Sequence, residues 1–340
     1  MGQTVSFNIE TIAASGLLFI GDPHQRSKTP GRRMDEKFYE TVSRKISQSL
    51  RIAEENDLVP VFLGDFFDQD DDTDAAMLVS TIKALQTSGH KPWTLVGNHE
   101  KRRTVLTDDT SLAILISSGM MKKVPDNGVA FIITGVGHNG DPYRVAVGGT
   151  GYDHEVPKSV LPFVNGLEST EVVWLTHHDW WFEGSYPNAM RAFPIEGCSM
   201  VVNGHIHLSK KPIRCGKTTF FNPGNITRMS IDSHKHVPRV WMYKPGNVNL
   251  MPFNIEFQED VFDWSGKVAH IADVKTDKTN DESSFVALLS EEIENSEKST
   301  EDGTKFLERM DLFCKENEVP VEIKNHLAAL FKKVRYGETS

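Results

Sequence analysis

Five short apolar runs in this chain end in residues of one chemical kind. They are LLFIGDPH (17–24), VPVFLGDFFD (59–68), PWTLVGNHE (92–100), VVWLTHHD (172–179) and MVVNGHIH (200–207). Each has the length and composition of a buried strand, and each closes on aspartate, glutamate or histidine. Helical patterns lie between some of them. Residues 35–56 carry Phe38, Val42, Ile46, Leu50 and Ala53 at spacings of three and four, and residues 74–89 open on an aspartate and close on a glycine. Strand–helix–strand alternation implies a parallel sheet wrapped by helices. In such sheets ligands sit outside the carboxyl ends of the strands. The five polar ends are therefore expected to meet at one place. In His205 and His207 the spacing of two in an extended chain aims both imidazoles to the same side.

The second half adds further strand patterns, in 126–165 and 213–257, which suit a second sheet packed on the first. Beyond it the chain turns polar. Residues 1–258 are expected to form the domain that carries all five runs, 259–282 a linker and 283–340 a helical region, with helices over 283–297, 304–316 and 321–335. The tail is also where the charge lies. The net charge is −10, and residues 251–340 hold 11 Lys and Arg against 20 Asp and Glu, so the rest of the chain is nearly balanced. No run of 18 apolar residues is present, which argues against a membrane span. The N-terminus lacks a basic start and a sustained apolar stretch. The three cysteines form neither a disulfide framework nor a zinc pattern. A cytoplasmic location is the expectation.

The candidate metal ligands are Asp22, His24, Asp65, Asn98, His177, His205 and His207. Seven groups exceed the ordinary coordination of one ion and suit two ions that share a carboxylate. Carboxylate, imidazole and amide donors without thiolate suit Mn²⁺ foremost, with Fe²⁺, Zn²⁺ or Mg²⁺ as alternatives. Two such ions can clamp a phosphoryl group and activate a water for in-line attack. Glycine precedes the polar groups at Gly21, Gly64, Gly97 and Gly204, where it is expected to let the chain turn tightly.

As a set, GDPH…GDFFD…GNHE…THHD…GHIH resembles the signature of the calcineurin-like metallophosphoesterases, over about residues 15–230. The resemblance implies an α/β fold: a two-sheet β-sandwich flanked by helices, here with a C-terminal helical appendage. It implies that Asp22, His24, Asp65 and His207 hold one divalent ion and that Asp65, Asn98, His177 and His205 hold the other, with Asp65 bridging. The choice of His177 over His178 comes from the family pattern, which leaves His178 at the rim. His99 would bind no metal; it would protonate the leaving oxygen as a general acid.

Within that family the protein phosphatases follow their second motif with Asp-Arg-Gly, which GDFFDQDDD lacks. The chain is more similar to the DNA-repair exonucleases, the SbcCD nuclease subunit and its phage relatives, in GDFFD, in AVGGTGYD (146–153) and in FNPGNITR (221–228). It differs from them in ending the third motif on Glu100 rather than aspartate. The resemblance implies a DNA exonuclease or endonuclease of repair or recombination. A small-molecule or cyclic-nucleotide phosphodiesterase, or a protein phosphatase, is the alternative. Cations follow three of the motifs: Arg26, Lys28, Arg32 and Arg33 after the first, Lys101, Arg102 and Arg103 after the third, Lys210 and Lys211 after the fifth. They are expected to form a basic rim for DNA, with Arg32, Arg33, Arg102 and Arg103 as substrate contacts. By resemblance, the tail helices would dock onto a coiled-coil ATPase or mediate a homodimer; packing on the core is the other expectation for them.

Overall fold

Phe38, Val42, Ile46, Leu50 and Ala53 are all buried, on one face of an 18-residue helix, as their spacing requires. The computed structural model describes residues 9–264 apart from 103–104, 138–139, 170, 186–188 and 248. The predicted tail helices, most of the predicted linker and Arg103 lie outside the described residues. The chain divides into two units, Met1–Asp263 and Trp264–Ser340, and every described helix and strand belongs to the first. Among the described residues no helix is long and apolar enough to cross a membrane.

In chain order the elements begin with β1 (Glu10–Ala13), β2 (Gly16–Ile20), α1 (Phe38–Glu55), β3 (Leu58–Phe62), α2 (Ala75–Leu85), β4 (Trp93–Thr94), α3 (Ser111–Ser117) and β5 (Lys122–Lys123). They continue with β6 (Asn127–Val136), β7 (Pro142–Thr150), α4 (Leu161–Val164), β8 (Glu171–Thr176), β9 (Met200–Asn203), β10 (Lys210–Cys215), β11 (Thr218–Asn222), β12 (Arg239–Tyr243) and β13 (Met251–Asn254). Asp74 caps α2 by accepting the N–H of Met77 at 2.9 Å. The helix stops at Leu85, short of the expected glycine end.

The strands form two mixed sheets. One has seven strands in the order β1-β6-β7-β8-β9-β11-β10, the other six in the order β13-β12-β2-β3-β4-β5. This corrects the expectation of one parallel sheet carrying all five motifs. Motifs one to three follow β2, β3 and β4, which are parallel neighbours in the six-stranded sheet. Motifs four and five follow β8 and β9, parallel neighbours in the seven-stranded sheet. The motif-bearing strands β2, β3, β8 and β9 are buried on both faces, so they read as unbroken apolar runs. Leu17 and Phe19 face inward with Val59 and Val61, against Phe131, Val147, Val173 and Val202 of the other sheet. Leu18 and Ile20 face outward under α1 and α2. Trp174 and Val201 pack on the opposite outer face with Trp180 and Phe220.

One loop crosses between the sheets at the motif end. It leaves β11 and reaches β12. On the way the N–H of Asn225 donates to the carbonyl of His207 (2.9 Å) and that of Ile226 to the carbonyl of Gly21 (3.1 Å). From α1, buried Lys45 donates to the carbonyl of Ile226 at 2.8 Å. Two loops from different sheets are thereby fastened to one segment.

Candidate metal centre

The polar ends of the five runs converge. His177 Nε2 lies 3.1 Å from Asp65 Oδ2, while His24 Nε2 and His99 Nε2 each lie 3.9 Å from the same oxygen. Asn98 Oδ1 is 3.2 Å from His177 Nε2 and 3.1 Å from His205 Nδ1. His24 Nε2 and His207 Nε2 approach to 2.9 Å. Asp22 Oδ1 is 3.9 Å from His177 Nδ1. All seven candidate ligands thus stand in one constellation. Asp65, His177 and His205 form one compact donor group, and His24, Asp65 and His99 another. Asp65 is common to both, the placement a bridging carboxylate needs. His99, expected to stay off the metal, stands within the second group.

Several buried atoms call for a cation. Both oxygens of Asp22 are buried and without a hydrogen-bond partner. Burial pushes the carboxyl of Asp22 up to about 7, because a lone carboxylate is costly in a dry site. The Nδ1–H of His177 donates to the carbonyl of Leu63 at 2.7 Å. That bond leaves the Nε2 lone pair aimed at Asp65 and Asn98, and it fixes the tautomer a metal ligand requires. With protein groups alone, burial opposes charge on His177 and His24. The carboxylate of Asp65 for His177, and those of Asp68 and Asp65 for His24, outweigh it and push both up to about 9. Oxygen and imidazole donors with an orphaned carboxylate fit a pair of divalent ions.

The backbone here is unusual. Asp22, His24, Asp65 and His205 have φ of 29°, 48°, 45° and 70°, a region few side-chain-bearing residues adopt. The glycines beside them serve close approach more than the turn. Of the four, only Gly64 has a positive φ, 100°. A Cβ on Gly97 would stand 2.1 Å from Asp65 Oδ1, and one on Gly64 would stand 2.4 Å from His177 Nδ1. A Cβ on Gly204 would stand 2.3 Å from the carbonyl of Leu63, 2.7 Å from His177 Nδ1 and 2.8 Å from Asp22 Oδ1.

Four residues to which the sequence assigned no role hold the candidate ligands in place. Buried Glu100 accepts the N–H groups of Asp65 (3.1 Å), Phe67 (3.0 Å) and Gly97 (2.7 Å), which clips the β3 and β4 loops together. Burial, then the Asp65 carboxylate, pushes its carboxyl up to about 8. Asp68 places its carboxylate 3.3 Å from His24 Nδ1 and its carbonyl 2.7 Å from His99 Nδ1. Asn203 accepts from Thr176 Oγ1 (2.8 Å) and the N–H of His178 (2.9 Å), and donates to the carbonyl of His178 and to Asn222 Oδ1, both at 3.0 Å. Asn222 in turn donates to the carbonyls of Ile206 (2.7 Å) and Leu208 (3.0 Å). His178 turns away from the centre, its Nε2 2.9 Å from the carbonyl of His154, in keeping with a rim position. The ring of Tyr152 lies 5.7 Å from that of His205 and 6.2 Å from that of His177.

The expected substrate arginines fare differently. Arg33 is buried; it donates to both oxygens of Asp35 at 2.7 and 2.9 Å and to the carbonyl of Arg228 at 3.0 Å. It is a clamp inside the fold, which corrects its reading as a substrate contact. Arg102 is half-exposed but ringed by Asp70, Asp71 and Asp109 at 3.1, 3.7 and 2.6 Å. Arg32 is partly exposed, with no ion pair among the described residues. Alternation and spacing cannot show which carboxylates answer which cations.

A family model described as calcineurin-like phosphoesterase matches residues 16–209. No curated protein matches the chain. Among solved structures, the chain is similar to a Thermus thermophilus protein, TT1561, at 10% identity and a TM-score of 0.42, over 72% of this chain and 100% of that one. A structure described as a novel archaeal phosphodiesterase matches at 11% identity and a TM-score of 0.34, over 70% of this chain and 99% of that one. A 5′-nucleotidase precursor from Thermus thermophilus matches at 12% identity and a TM-score of 0.41, over 75% of this chain and 57% of that one.

Proposed function

Because the chain belongs to the calcineurin-like phosphoesterase family, a family of metal-dependent hydrolases, we propose that it is a phosphodiesterase whose substrate is nucleic acid. The observation that carries the phosphoesterase part is the sharing of Asp65 by two donor groups with His99 beside it. The nucleic-acid part is supported by GDFFD, GTGYD and FNPGNITR and by the open cations after the fifth motif.

Asp22, His24, Asp65 and His207 would hold one divalent ion, and Asp65, Asn98, His177 and His205 the other. When bound, such a pair supplies Lewis-acid polarisation of the phosphoryl group and a water activated for attack. The protein's own part is orientation and proton transfer. The Leu63 carbonyl holds His177 with Nε2 inward. The Asp68 carbonyl takes the Nδ1–H of His99, so a doubly protonated His99 presents Nε2–H to the leaving oxygen. Its side chain is 19% exposed, open enough to meet a substrate.

The test is hydrolysis of bis-p-nitrophenyl phosphate, labelled single- and double-stranded DNA, cyclic nucleotides and a phosphopeptide with Mn²⁺. Cleavage of the chromogenic diester and of DNA is expected. The variant His99→Ala is expected to lose about 10²–10⁴-fold in rate while still binding close to two ions per chain. Loss of an ion in that variant would reassign His99 to the ligand set. Turnover of a cyclic nucleotide without DNA cleavage would overturn the nucleic-acid reading.

A further inference from the structure

The cations around the centre fall into two groups. Beside β2, β3 and β4, where Lys28, Arg32 and Lys101 have no ion pair among the described residues, the others are answered by carboxylates: Arg26 by Asp68 at 2.7 Å, Arg33 by Asp35, and Arg102 by three aspartates. Beside β10 they are not. Lys210, Lys211 and Arg214 lie on β10 itself, Lys217 lies just past it, and Arg191 lies on the long loop between β8 and β9. Among the described residues the one carboxylate within ion-pair reach of these five belongs to Glu183, 3.7 Å from Lys211. Both of those side chains are largely exposed, where such a pair counts for little.

The position of this group is fixed by the sheet. β10 is the outer strand of the seven-stranded sheet and begins three residues after His207. Lys210 is in register with Asn222, the residue whose amide holds the carbonyls of Ile206 and Leu208. The strip therefore starts at the metal rim and runs outward. A strand of this length spans roughly 20 Å, about six nucleotide steps of one strand of a duplex. An aromatic flanks it. The guanidinium of Arg191 stacks 4.1 Å from the ring centre of Trp181. Trp181 follows His177 by four residues, and Lys210 Nζ reaches the carbonyl of Glu183 at 3.4 Å, so the two loops meet. Indole and guanidinium planes are surfaces on which bases stack, and unanswered cations are what phosphates seek.

We propose that the outer edge of β10, with Arg191 and Trp181 beside it, is the track on which a nucleic-acid strand lies while its phosphodiester enters the metal centre. The inference rests on the nucleic-acid reading above and assigns it a direction: substrate arrives over the seven-stranded sheet, away from the aspartate-answered arginines.

The experiment follows cleavage of a labelled oligonucleotide by the full chain and by K210Q/K211Q/R214Q across about 50 to 200 mM salt, with bis-p-nitrophenyl phosphate reporting the state of the metal centre. For the triple variant, KM for DNA should rise at least about tenfold. The slope of log(1/KM) against log salt should shrink by about 2 to 3, one contact apiece. The variant W181A should raise KM for a single strand by about 5- to 150-fold, the range of one lost stacking contact, with its salt slope kept. If the triple variant fails on the chromogenic diester too, K211Q alone, at a side chain that is 88% exposed, should shrink the slope by about 1. An unchanged slope and KM in these variants would overturn the track and leave the nucleic-acid reading intact; lysines that only keep an exposed edge from pairing with other chains would give that result. Hydrolysis of the chromogenic diester with no DNA cleavage by the intact chain would overturn the track together with the reading beneath it.

Discussion

Asp22, His24, Asp65, Asn98 and His99 follow strands of the six-stranded sheet, whereas His177, His205 and His207 follow strands of the seven-stranded one. The first sheet brings both carboxylates and the amide; the second brings imidazoles alone. They are also held differently. On the six-stranded side a single buried carboxylate, Glu100, gathers three backbone N–H groups and holds a strained loop at Asp65. On the seven-stranded side two amides, Asn203 and Asn222, tie together the loops after β8 and β9. Neither sheet brings all seven candidate ligands. The centre exists only where the sandwich closes, so the packing of Phe19 and Val61 against Val173 and Val202 is part of what positions the ligands. Metal binding should accordingly stabilise the closed sandwich, since ligands apart in the unfolded chain cannot share an ion.

The largest expected effect breaks the junction of the two halves. Asp65→Asn should weaken both sites and lower hydrolysis by at least about 10⁴-fold, since several kcal/mol of charge stabilisation pass through that centre. His24→Ala should weaken chiefly one site. Calorimetric titration with Mn²⁺ separates the cases; equal single-site losses in the two variants would remove the shared role of Asp65.

A smaller effect isolates the seven-stranded half. Asn203→Ala removes the tie between the loops after β8 and β9 and touches no ligand directly. Metal affinity should fall by about 10- to 100-fold, the usual consequence of losing a residue that orients ligands, with one site affected more than the other. Uniform weakening of both sites would show that the halves are not held independently.

The smallest effect tests the loop that joins them. Lys45 is buried, and burial followed by Arg33 and Arg228 lowers its amine from 10.5 to about 7. The unfolded chain keeps that proton up to about 10.5 and the folded chain releases it near 7, so between these values folding gains stability as pH rises. Lys45→Met should flatten this rise. Denaturant melts from about pH 6 to 10 should show the difference, wild type minus variant, growing with pH. A constant difference would mean that Lys45 stays charged against the Ile226 carbonyl.

Much of this was legible in the sequence because the signals were local. Buried strands read as apolar runs, α1 read from its spacing, and the candidate ligands that the fold brings together read from their residue types at strand ends. The division of the five runs between two sheets was not legible, because two-sided burial gives both sheets the same apolar pattern and nothing in LLFI or MVVN says which neighbour it pairs with. Strand β10, KKPIRC, carries no such pattern, and only its last three residues fall within the strand patterns of 213–257. The fates of Arg33 and Arg102 were hidden for a related reason. Asp35 is two residues from Arg33 and could have been suspected, but Asp70 and Asp109 reach Arg102 only through the fold. Asn203 ends a strand like many turn residues, and only the register of β8, β9 and β11 shows what it joins.

Gly204 carries a last consequence. Where its side chain would begin, three atoms from three separate motif segments already stand within 2.8 Å. One methyl group there would act as a wedge between the two sheets' contributions, although it adds no charge and removes no ligand. Gly97 and Gly64 are filled in the same way from Asp65 and His177. An unbiased screen for inactive variants should therefore return alanine at these glycines as often as substitutions of the aspartates and histidines. The map it draws would outline the volume that the ions and their ligands need, as a mould outlines a casting, rather than the list of groups that react.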